Sequence, residues 1–147
     1  MRNLKAAAAA AALMLLAGCS SGRTIDTITT AEFKEALTIG GYGSADDGFT
    51  TDSEDGTTTI MQAKSGWLVG FYECRDSEVA ETEFYSECGA ADIEETREGK
   101  NYICAEKESD DEYLYYIAVD DTCLFVRGKP ENSSEIEQFT EDLGYKA

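Results

Sequence analysis

Histidine is absent from this sequence of 147 residues. Its absence excludes Ser-His-Asp and Cys-His nucleophile activation, because both use an imidazole as the general base. It also removes the commonest zinc ligand. A hydrolase with paired carboxylates, such as a glycosidase, stays open as an enzyme class. With 30 Asp and Glu residues no single pair is informative, so we predict no catalytic residue and no enzyme activity.

Basic residues and long apolar runs are also scarce. The chain has 12 Lys and Arg against 30 Asp and Glu, a formal net charge of −18. This charge opposes binding to nucleic acid and to anionic lipid headgroups, and it favours solubility and cationic or basic partners. A solvated acidic surface explains it most simply. Residues 6–16 form an uncharged run of eleven residues, whereas a membrane-spanning helix needs about 20.

That apolar run has the flanks of an export signal. Arg2 and Lys5 precede it, and Leu-Ala-Gly-Cys follows at residues 16–19. The order of positive charge, apolar run and small residues is typical of a cleaved signal peptide, and residues 16–19 resemble the lipobox of bacterial lipoproteins. The resemblance implies cleavage between Gly18 and Cys19, with a diacylglyceryl thioether on the cysteine and usually a further acyl chain. An ordinary secretory signal with a chance cysteine is the alternative.

The lipobox divides the chain into three parts. Residues 1–18 are the predicted signal peptide, residues 19–28 a lipid-anchored tether, and residues 29–147 one small domain. Each buried methylene contributes about 0.8 kcal/mol, so two or three acyl chains anchor the protein stably to the cell membrane, facing outside the cytoplasm. Loss of the two signal-peptide cations takes the net charge to −20. Two isoleucines within Thr24–Ile28 can add a docking contact.

Four cysteines remain beside Cys19, and none belongs to a Cys-x-x-Cys pair, which argues against a redox site or a zinc knuckle. An even number in an exported domain predicts two disulfides, while four buried free thiols are the alternative. Cys74 and Cys88 flank a predicted helix of about 18 Å, too long for a disulfide. Cys104 and Cys123 lie on the outer strands of a predicted meander, roughly 10 Å apart. Each disulfide should therefore join one member of the first pair to one of the second.

Caps, periodicity and glycine stops predict three helices and five strands. The helices lie between the Thr29–Glu32 capping box and Gly40-Gly41, from Asp76 or Ser77 to about Glu87, and from residues 132–134 to Gly144. The strands are residues 57–63, 67–74, 101–107, 112–119 and 122–128. The order α-β-β-α-β-β-β-α predicts an α+β domain with a single, mostly antiparallel sheet of about five strands.

Two acidic segments are predicted to be loops. Residues 42–58 contain five acids, but with Gly56 at the glycine position of a calcium loop, the first and third ligands would be Thr51 and Ser53. The acid expected six residues beyond the glycine is Gln62. We therefore expect a mobile acidic loop, no metal site and no cofactor. Residues 90–99 are a second acidic connector.

The predicted sheet is rich in tyrosine. An open sheet face carrying these rings could bind sugars, peptides or cell-wall fragments, because tyrosine combines apolar area with a hydroxyl. Ordinary strand propensity is the alternative explanation. The candidate platform consists of Tyr72, Tyr102, Tyr113, Tyr115 and Tyr116.

Short patterns across the domain resemble uncharacterised small lipoproteins of Gram-positive gut bacteria. They are Ala31-Glu32-Phe33-Lys34, Gly70-Phe71-Tyr72-Glu73, Ala80 with Phe84, and Leu143-Gly144-Tyr145. The resemblance implies a cell-surface domain of unknown activity and no catalytic residue. We expect a membrane-anchored binding or interaction module that binds no nucleic acid. An accessory subunit of an envelope complex is the alternative, and a small carboxylate-dependent hydrolase is the third.

Overall fold

Seven strands form one antiparallel sheet with helices on both of its faces. The computed structural model describes residues 23–147, so the predicted lipobox and signal peptide lie outside the described residues. The helices are α1 (Thr30–Ile39), α2 (Ser77–Ala90) and α3 (Ser133–Asp142). The strands are β1 (Phe49–Ser53), β2 (Gly56–Gln62), β3 (Leu68–Cys74), β4 (Arg97–Glu98), β5 (Tyr102–Glu108), β6 (Tyr113–Val119) and β7 (Thr122–Gly128). Short 3₁₀ turns occupy Ala45–Asp47 and Pro130–Asn132.

The predicted fold class is confirmed, while the predicted number of strands is wrong. Within residues 23–147 there are three α-helices and a single antiparallel sheet, in the order β1-β2-β3-β7-β6-β5-β4. Five strands were expected, and the structure adds β1 and β4 at the two edges. None of the helices described by the structure combines the length and the apolar character needed to cross a membrane.

β1 lies inside the segment expected to be a mobile acidic loop. It pairs with β2 from Phe49 opposite Ile60 to Ser53 opposite Gly56, across a two-residue turn at Glu54 and Asp55. All five of its side chains are exposed, so the strand carries no apolar alternation that sequence periodicity could detect. Its two central threonines favour extended backbone, which the pairing with β2 stabilises. The short β4, in the second acidic connector, pairs with β5 over only two residues.

The two sheet faces differ in their cover. On the two-helix face, α1 and α3 pack on the sheet around a core that contains Phe33, Leu37, Ile136, Phe139, Trp67, Val69, Phe71, Tyr115, Ile117, Leu124 and Val126. On the one-helix face, α2 alone packs on the sheet, and the core contains Ala80, Phe84, Cys88, Cys74, Leu114, Tyr116, Ala118, Cys123 and Phe125. Each of the three helices thus buries one face against the sheet.

The helix ends follow local backbone chemistry. The predicted capping box is present, with Thr29 accepting from the amide of Glu32 and Glu32 accepting from the amide of Thr29. Asp76 caps α2 by accepting from the Val79 amide at 2.9 Å. This helix continues past its predicted end near Glu87, through Gly89, and ends at Ala90. The backbone reverses only at Asp92, which adopts a left-handed conformation with φ of 56°.

Residues just before α1 pack against the domain. Ile25 is 3% exposed and belongs to the core of the two-helix face. The side-chain amide of Asn101 holds its backbone at both ends, accepting from the Ile25 amide at 3.0 Å and donating to the Ile25 carbonyl at 2.8 Å. The Ile28 amide donates to the Tyr145 hydroxyl at 3.2 Å. The docking contact expected within Thr24–Ile28 therefore includes a buried side chain.

Candidate functional site

The five tyrosines of the predicted platform do not share a surface. Tyr102, Tyr113 and Tyr115 belong to the two-helix face, whereas Tyr72 and Tyr116 belong to the one-helix face. Tyr113, Tyr115 and Tyr116 are at most 3% exposed. Buried hydroxyls are also engaged internally, since Tyr115 donates to the Tyr145 carbonyl at 2.7 Å. Three of these tyrosines are therefore part of the core, while Tyr72 and Tyr102 are partly exposed on opposite faces of the sheet.

The four cysteines predicted to form disulfides are also divided between the two faces of the sheet. Cys74, Cys88 and Cys123 lie on the one-helix face and Cys104 on the other, and all four are free thiols in this structure. A second disulfide of the predicted kind, between Cys88 and Cys104, would have to pass through the sheet. Cys74 and Cys123 are neighbours, because β3 pairs with β7 and Tyr72 lies opposite Cys123. One of the predicted combinations thus brings its sulfurs together.

The neighbouring thiols of Cys74 and Cys123 influence each other's ionisation. Cys123 lowers the pKa of Cys74, whereas Cys74, followed by burial, raises the pKa of Cys123. The Cys123 thiol donates to the Ala80 carbonyl at 3.0 Å. Burial raises the pKa of Cys88 to about 11, so that thiol is inert at neutral pH.

Three large apolar side chains cluster at an uncovered part of the one-helix face. Phe49 is 67% exposed, Ile60 43% and Leu68 45%. They form what we call the open patch. Phe49 and Ile60 are cross-strand partners on β1 and β2, and Leu68 begins the adjacent strand β3. The patch is open because α2 packs mainly on β3, β6 and β7 and leaves the outer strands uncovered.

A recess continues the open patch toward α2. We call this depression the aromatic recess. Its floor consists of Gly70, Tyr72, Tyr116 and Phe125, and the volume of the recess is about 160 Å³. The register places Ile60, Gly70, Phe125 and Tyr116 in one row across four strands. The missing side chain at Gly70 interrupts the row and makes the depression. The Tyr72 ring leans over it, since a Cβ on Gly70 would lie 3.2 Å from Tyr72 Cε2.

The aromatic rings of the recess hold each other in edge-to-face contacts. The Phe125 centroid lies 5.2 Å from that of Tyr72 and 5.0 Å from that of Tyr116, with interplanar angles of 89° and 84°. Such contacts fix ring orientation as well as adding attraction. The recess is therefore a preformed apolar surface.

Charged groups of both signs stand at the rim of the recess. Glu87 of α2 and Arg127 of β7 line it. Burial, followed by the charges of Glu87 and Glu83, raises the pKa of Tyr72. Burial also raises the pKa of Tyr116, and Arg127 opposes the shift. Both phenols are thus neutral at physiological pH, and the polar groups at the rim can orient a ligand.

The acidic residues of the described chain do not converge on a cation site. Across residues 23–147, no group of three or more His, Cys, Asp or Glu side chains has the geometry to hold a metal ion. A polar cleft of about 310 Å³ at the start of α2 includes Glu98 and Asp120. Its Asn101 is already bonded to Ile25, and every buried side-chain polar atom described by the structure has a hydrogen-bond partner. The cleft therefore supplies no free buried group for chemistry.

Sequence reasoning missed the open patch and most of the recess. Phe49 lies on a strand that the sequence did not predict. Phe125 and Arg127 are brought beside Gly70 and Leu68 only by the pairing of β3 with β7. One clue was available, because Leu68, Gly70 and Tyr72 alternate along β3 opposite the buried Val69 and Phe71. An apolar second face of this kind needs a cover, and α2 supplies only part of it.

Comparisons with known proteins identify no family for this chain. No protein-family model matches the chain, and no curated protein does. A solved structure of a GTP-binding regulator from Thermotoga maritima is similar over 74% of this chain and 82% of its own, at 15% identity and a TM-score of 0.45. Nothing about the activity of this chain follows from so distant a likeness.

Proposed function

We propose that the chain is a lipid-anchored protein on the outer side of the cell membrane, and that its domain is a binding module. The lipobox-like residues 16–19, with Cys19 as the lipidated residue, support the anchor. The open patch supports the binding role. Of the five large apolar residues exposed in the described chain, three belong to this patch. Clustered exposed apolar side chains mark interaction surfaces, whereas isolated ones are ordinary.

The aromatic recess favours a binding module over a passive accessory subunit. A concave apolar floor with a few polar groups at its rim is the usual form of a ligand site. Phe49, which is 67% exposed and lies outside the recess, favours the accessory subunit as the second candidate, since another protein could cover it permanently. Glu98 and Asp120 both line the polar cleft at the start of α2, so the small carboxylate-dependent hydrolase is the third candidate.

The domain's attachment point is compatible with a surface that faces away from the membrane. Ile25 is held by Asn101, which lies just before β5 and beside the end of β6. The open patch lies at the opposite end of the strands, since Leu68 begins β3 and Cys74 ends it beside Asp121. Residues 20–24 then separate Cys19 from Ile25, and five residues span at most roughly 17 Å. The membrane would be near the Asn101 end, leaving Leu68 accessible.

The anchor is tested by the intact mass of protein extracted from membranes. A mass that fits Cys19–Ala147 plus acyl chains is expected, and Cys19→Ala should abolish both lipidation and membrane retention. A soluble, unlipidated wild-type protein would contradict the anchor. Alkylation with and without prior reduction in the same experiment counts the free thiols among the four domain cysteines.

The binding surface is tested by site-specific photo-crosslinking in native membranes. Leu68 is replaced by benzoylphenylalanine, and the exposed Ser86 on the outer side of α2 is the matched control position. A discrete adduct is expected from position 68 and none from position 86, and Ile60→Glu should remove the adduct. Equal labelling from the two positions, or none from position 68, would contradict the proposed surface. A partner that copurifies in a stoichiometric amount without crosslinking would favour the accessory subunit.

A further inference from the structure

We propose that β1 accepts an extended basic polypeptide segment as an additional strand of the sheet. This inference rests on the proposed function, because it names the partner class for the edge next to the open patch. Within residues 23–147, β1 pairs on one side only, with β2. Strand addition at an open edge gains affinity from backbone hydrogen bonds and specificity from alternate side chains.

The hairpin geometry identifies the backbone groups that face the open edge. Ser53 and Gly56 close a two-residue turn, so antiparallel alternation makes the pairs at Thr50 and Asp52 non-hydrogen-bonded. Close side-chain contacts at these two pairs agree with this assignment. The Thr50 hydroxyl lies 3.3 Å from that of Thr59, and the Thr57 hydroxyl donates to Asp52 at 2.8 Å. The N–H and C=O groups of Thr50 and Asp52 therefore point away from β2, toward an incoming strand.

The protection of this edge against strand pairing is limited to its negative charge. Natural edges are blunted by charged side chains, especially lysine, by proline, by bulges or by very short strands. β1 contains neither lysine nor proline, and its register with β2 runs without a bulge over five residues. The opposite edge is β4, which has only two residues. The two edges thus differ, and only β1 offers a regular template.

The negative charge around β1 favours a positively charged partner. No Lys or Arg occurs between Lys34 and Lys64, whereas the acids around β1 are Asp46, Asp47, Asp52, Glu54 and Asp55. Among the residues described, Arg75 is the cation paired with this group, 3.5 Å from Asp55. A second copy of the chain would place the same acids against each other at the shared edge. A segment rich in Lys and Arg is attracted to it instead.

Strand alternation also predicts the side-chain pattern of the partner. Residues of the added strand beside Phe49 and Thr51 lie on the one-helix face, where an apolar side chain would extend the Phe49–Ile60 contact. Residues beside Thr50 and Asp52 lie on the other face, where a basic side chain would meet the Asp52 carboxylate. The partner is therefore an extended segment with alternating apolar and basic residues.

The probe is a blocked octapeptide of alternating lysine and valine, titrated into the full domain and followed by amide NMR. Saturable binding is expected, with slowed hydrogen exchange at the Thr50 and Asp52 amides. A glutamate–valine octapeptide should bind at least about tenfold more weakly. A lysine–valine peptide with alternate backbone N-methyl groups should also bind weakly. Equal binding by the N-methylated peptide would overturn the proposal, because attraction by charge alone would then explain it.

Thr50→Pro and Thr50→Val form a matched pair of variants. Both remove the hydroxyl contact to Thr59, but only proline removes the outward N–H and obstructs the edge. Because this N–H makes no bond to β2, proline is tolerated there, and slow exchange of the Thr51 amide verifies the intact hairpin. Proline should weaken peptide binding about tenfold or more, while valine should leave it within about twofold. Equal affinities of the two variants would contradict strand addition.

Two further outcomes separate this inference from the proposed function. If the peptides fail while the crosslink from position 68 persists, the binding surface stands and strand addition is wrong. If the free domain dimerises with concentration, and Thr50→Pro abolishes dimerisation, then the occupant of the edge is a second copy and the basic partner is wrong. Sedimentation velocity over a hundredfold concentration range distinguishes a monomer from such a dimer.

Discussion

The two faces of the sheet differ in how completely they are covered. On the two-helix face, α1 and α3 cover the strands, and Ile25 and Tyr145 close the margin at 3% and 0% exposure. On the one-helix face, the cover ends before the outer strands, and Leu68 and Ile60 stay more than 40% exposed. Both faces contain a buried core, but the incomplete cover leaves part of the one-helix face available for contacts.

The sealed face should respond most strongly to truncation. Phe139 is 1% exposed, and its ring lies 5.2 Å from those of Tyr42 and Trp67 and 6.4 Å from that of Phe33. Phe139→Ala should lower the free energy of unfolding by about 3–5 kcal/mol, through lost transfer energy and a cavity that these neighbours cannot fill. Urea denaturation followed by tryptophan fluorescence measures the change. A loss below about 1 kcal/mol would show that this face is not closely packed.

The margin of the same face should give a smaller effect. Asn101→Ala removes both hydrogen bonds to the Ile25 backbone and should cost about 1–3 kcal/mol. Asn101→Asp keeps the acceptor for the Ile25 amide but turns a carboxylate oxygen toward the Ile25 carbonyl and the Asp120 carboxylate, which both accept from Asn101 at 2.8 Å, so its loss should equal or exceed that of alanine. Hydrogen exchange at Ile25 reports local release, and unchanged protection in the alanine variant would contradict the clamp.

The single helix of the other face adds a pH dependence. Hydrogen bonds from the Val79 amide and from Arg75 hold the pKa of Asp76 below its ordinary value of 3.8. A carboxyl with a depressed folded-state pKa stabilises the fold above its unfolded pKa, and this contribution disappears as the pH falls through the folded value. Asp76→Asn keeps a capping oxygen without the titration.

Unfolding measured from pH 6 to pH 2 tests this cap. The wild type should lose stability more steeply with acid than Asp76→Asn does, with the difference concentrated below about pH 4. Parallel curves for the two proteins would show that the cap does not titrate in this range.

The open patch should give the smallest stability effect. Leu68→Ser should change the free energy of unfolding by no more than about 0.5 kcal/mol, because the side chain is 45% exposed. The same substitution should nevertheless weaken capture of the surface partner by the photo-crosslinker placed at Ile60. A large stability loss at Leu68 would erase the contrast between the two faces.

Periodicity predicted the parts of the fold whose burial is regular. The inward residues of α3, including Ile136 and Phe139, recur at helical spacing, and Val69 and Phe71 alternate along β3, so the core follows from pattern alone. β1 was missed because its stability comes from pairing with β2 and not from burial. The predicted tyrosine platform is not a single surface, because neighbours such as Tyr115 and Tyr116 necessarily point to opposite faces of the sheet.

The candidate site depended on information that a single sequence lacks. Gly70 creates a recess only because Ile60 and Phe125 flank it from neighbouring strands, and this juxtaposition requires the sheet order. The extent of α2's cover likewise depends on where the helix rests, which its own periodicity does not specify. Local chemistry such as the Thr29–Glu32 capping box was predictable because both partners lie within one turn.

The attachment of Ile25 has a mechanical consequence. A pull on the chain at Thr24 reaches the two Asn101 hydrogen bonds first, and then the contacts of Thr30 with Glu73, whose carboxylate accepts from the Thr30 amide and hydroxyl at 2.8 Å. Tension applied from that side would therefore be absorbed at the end of the sheet next to β5 and β3, about a strand's length from Leu68. The surface around Leu68 is thus separated from the point at which such a force would enter the domain.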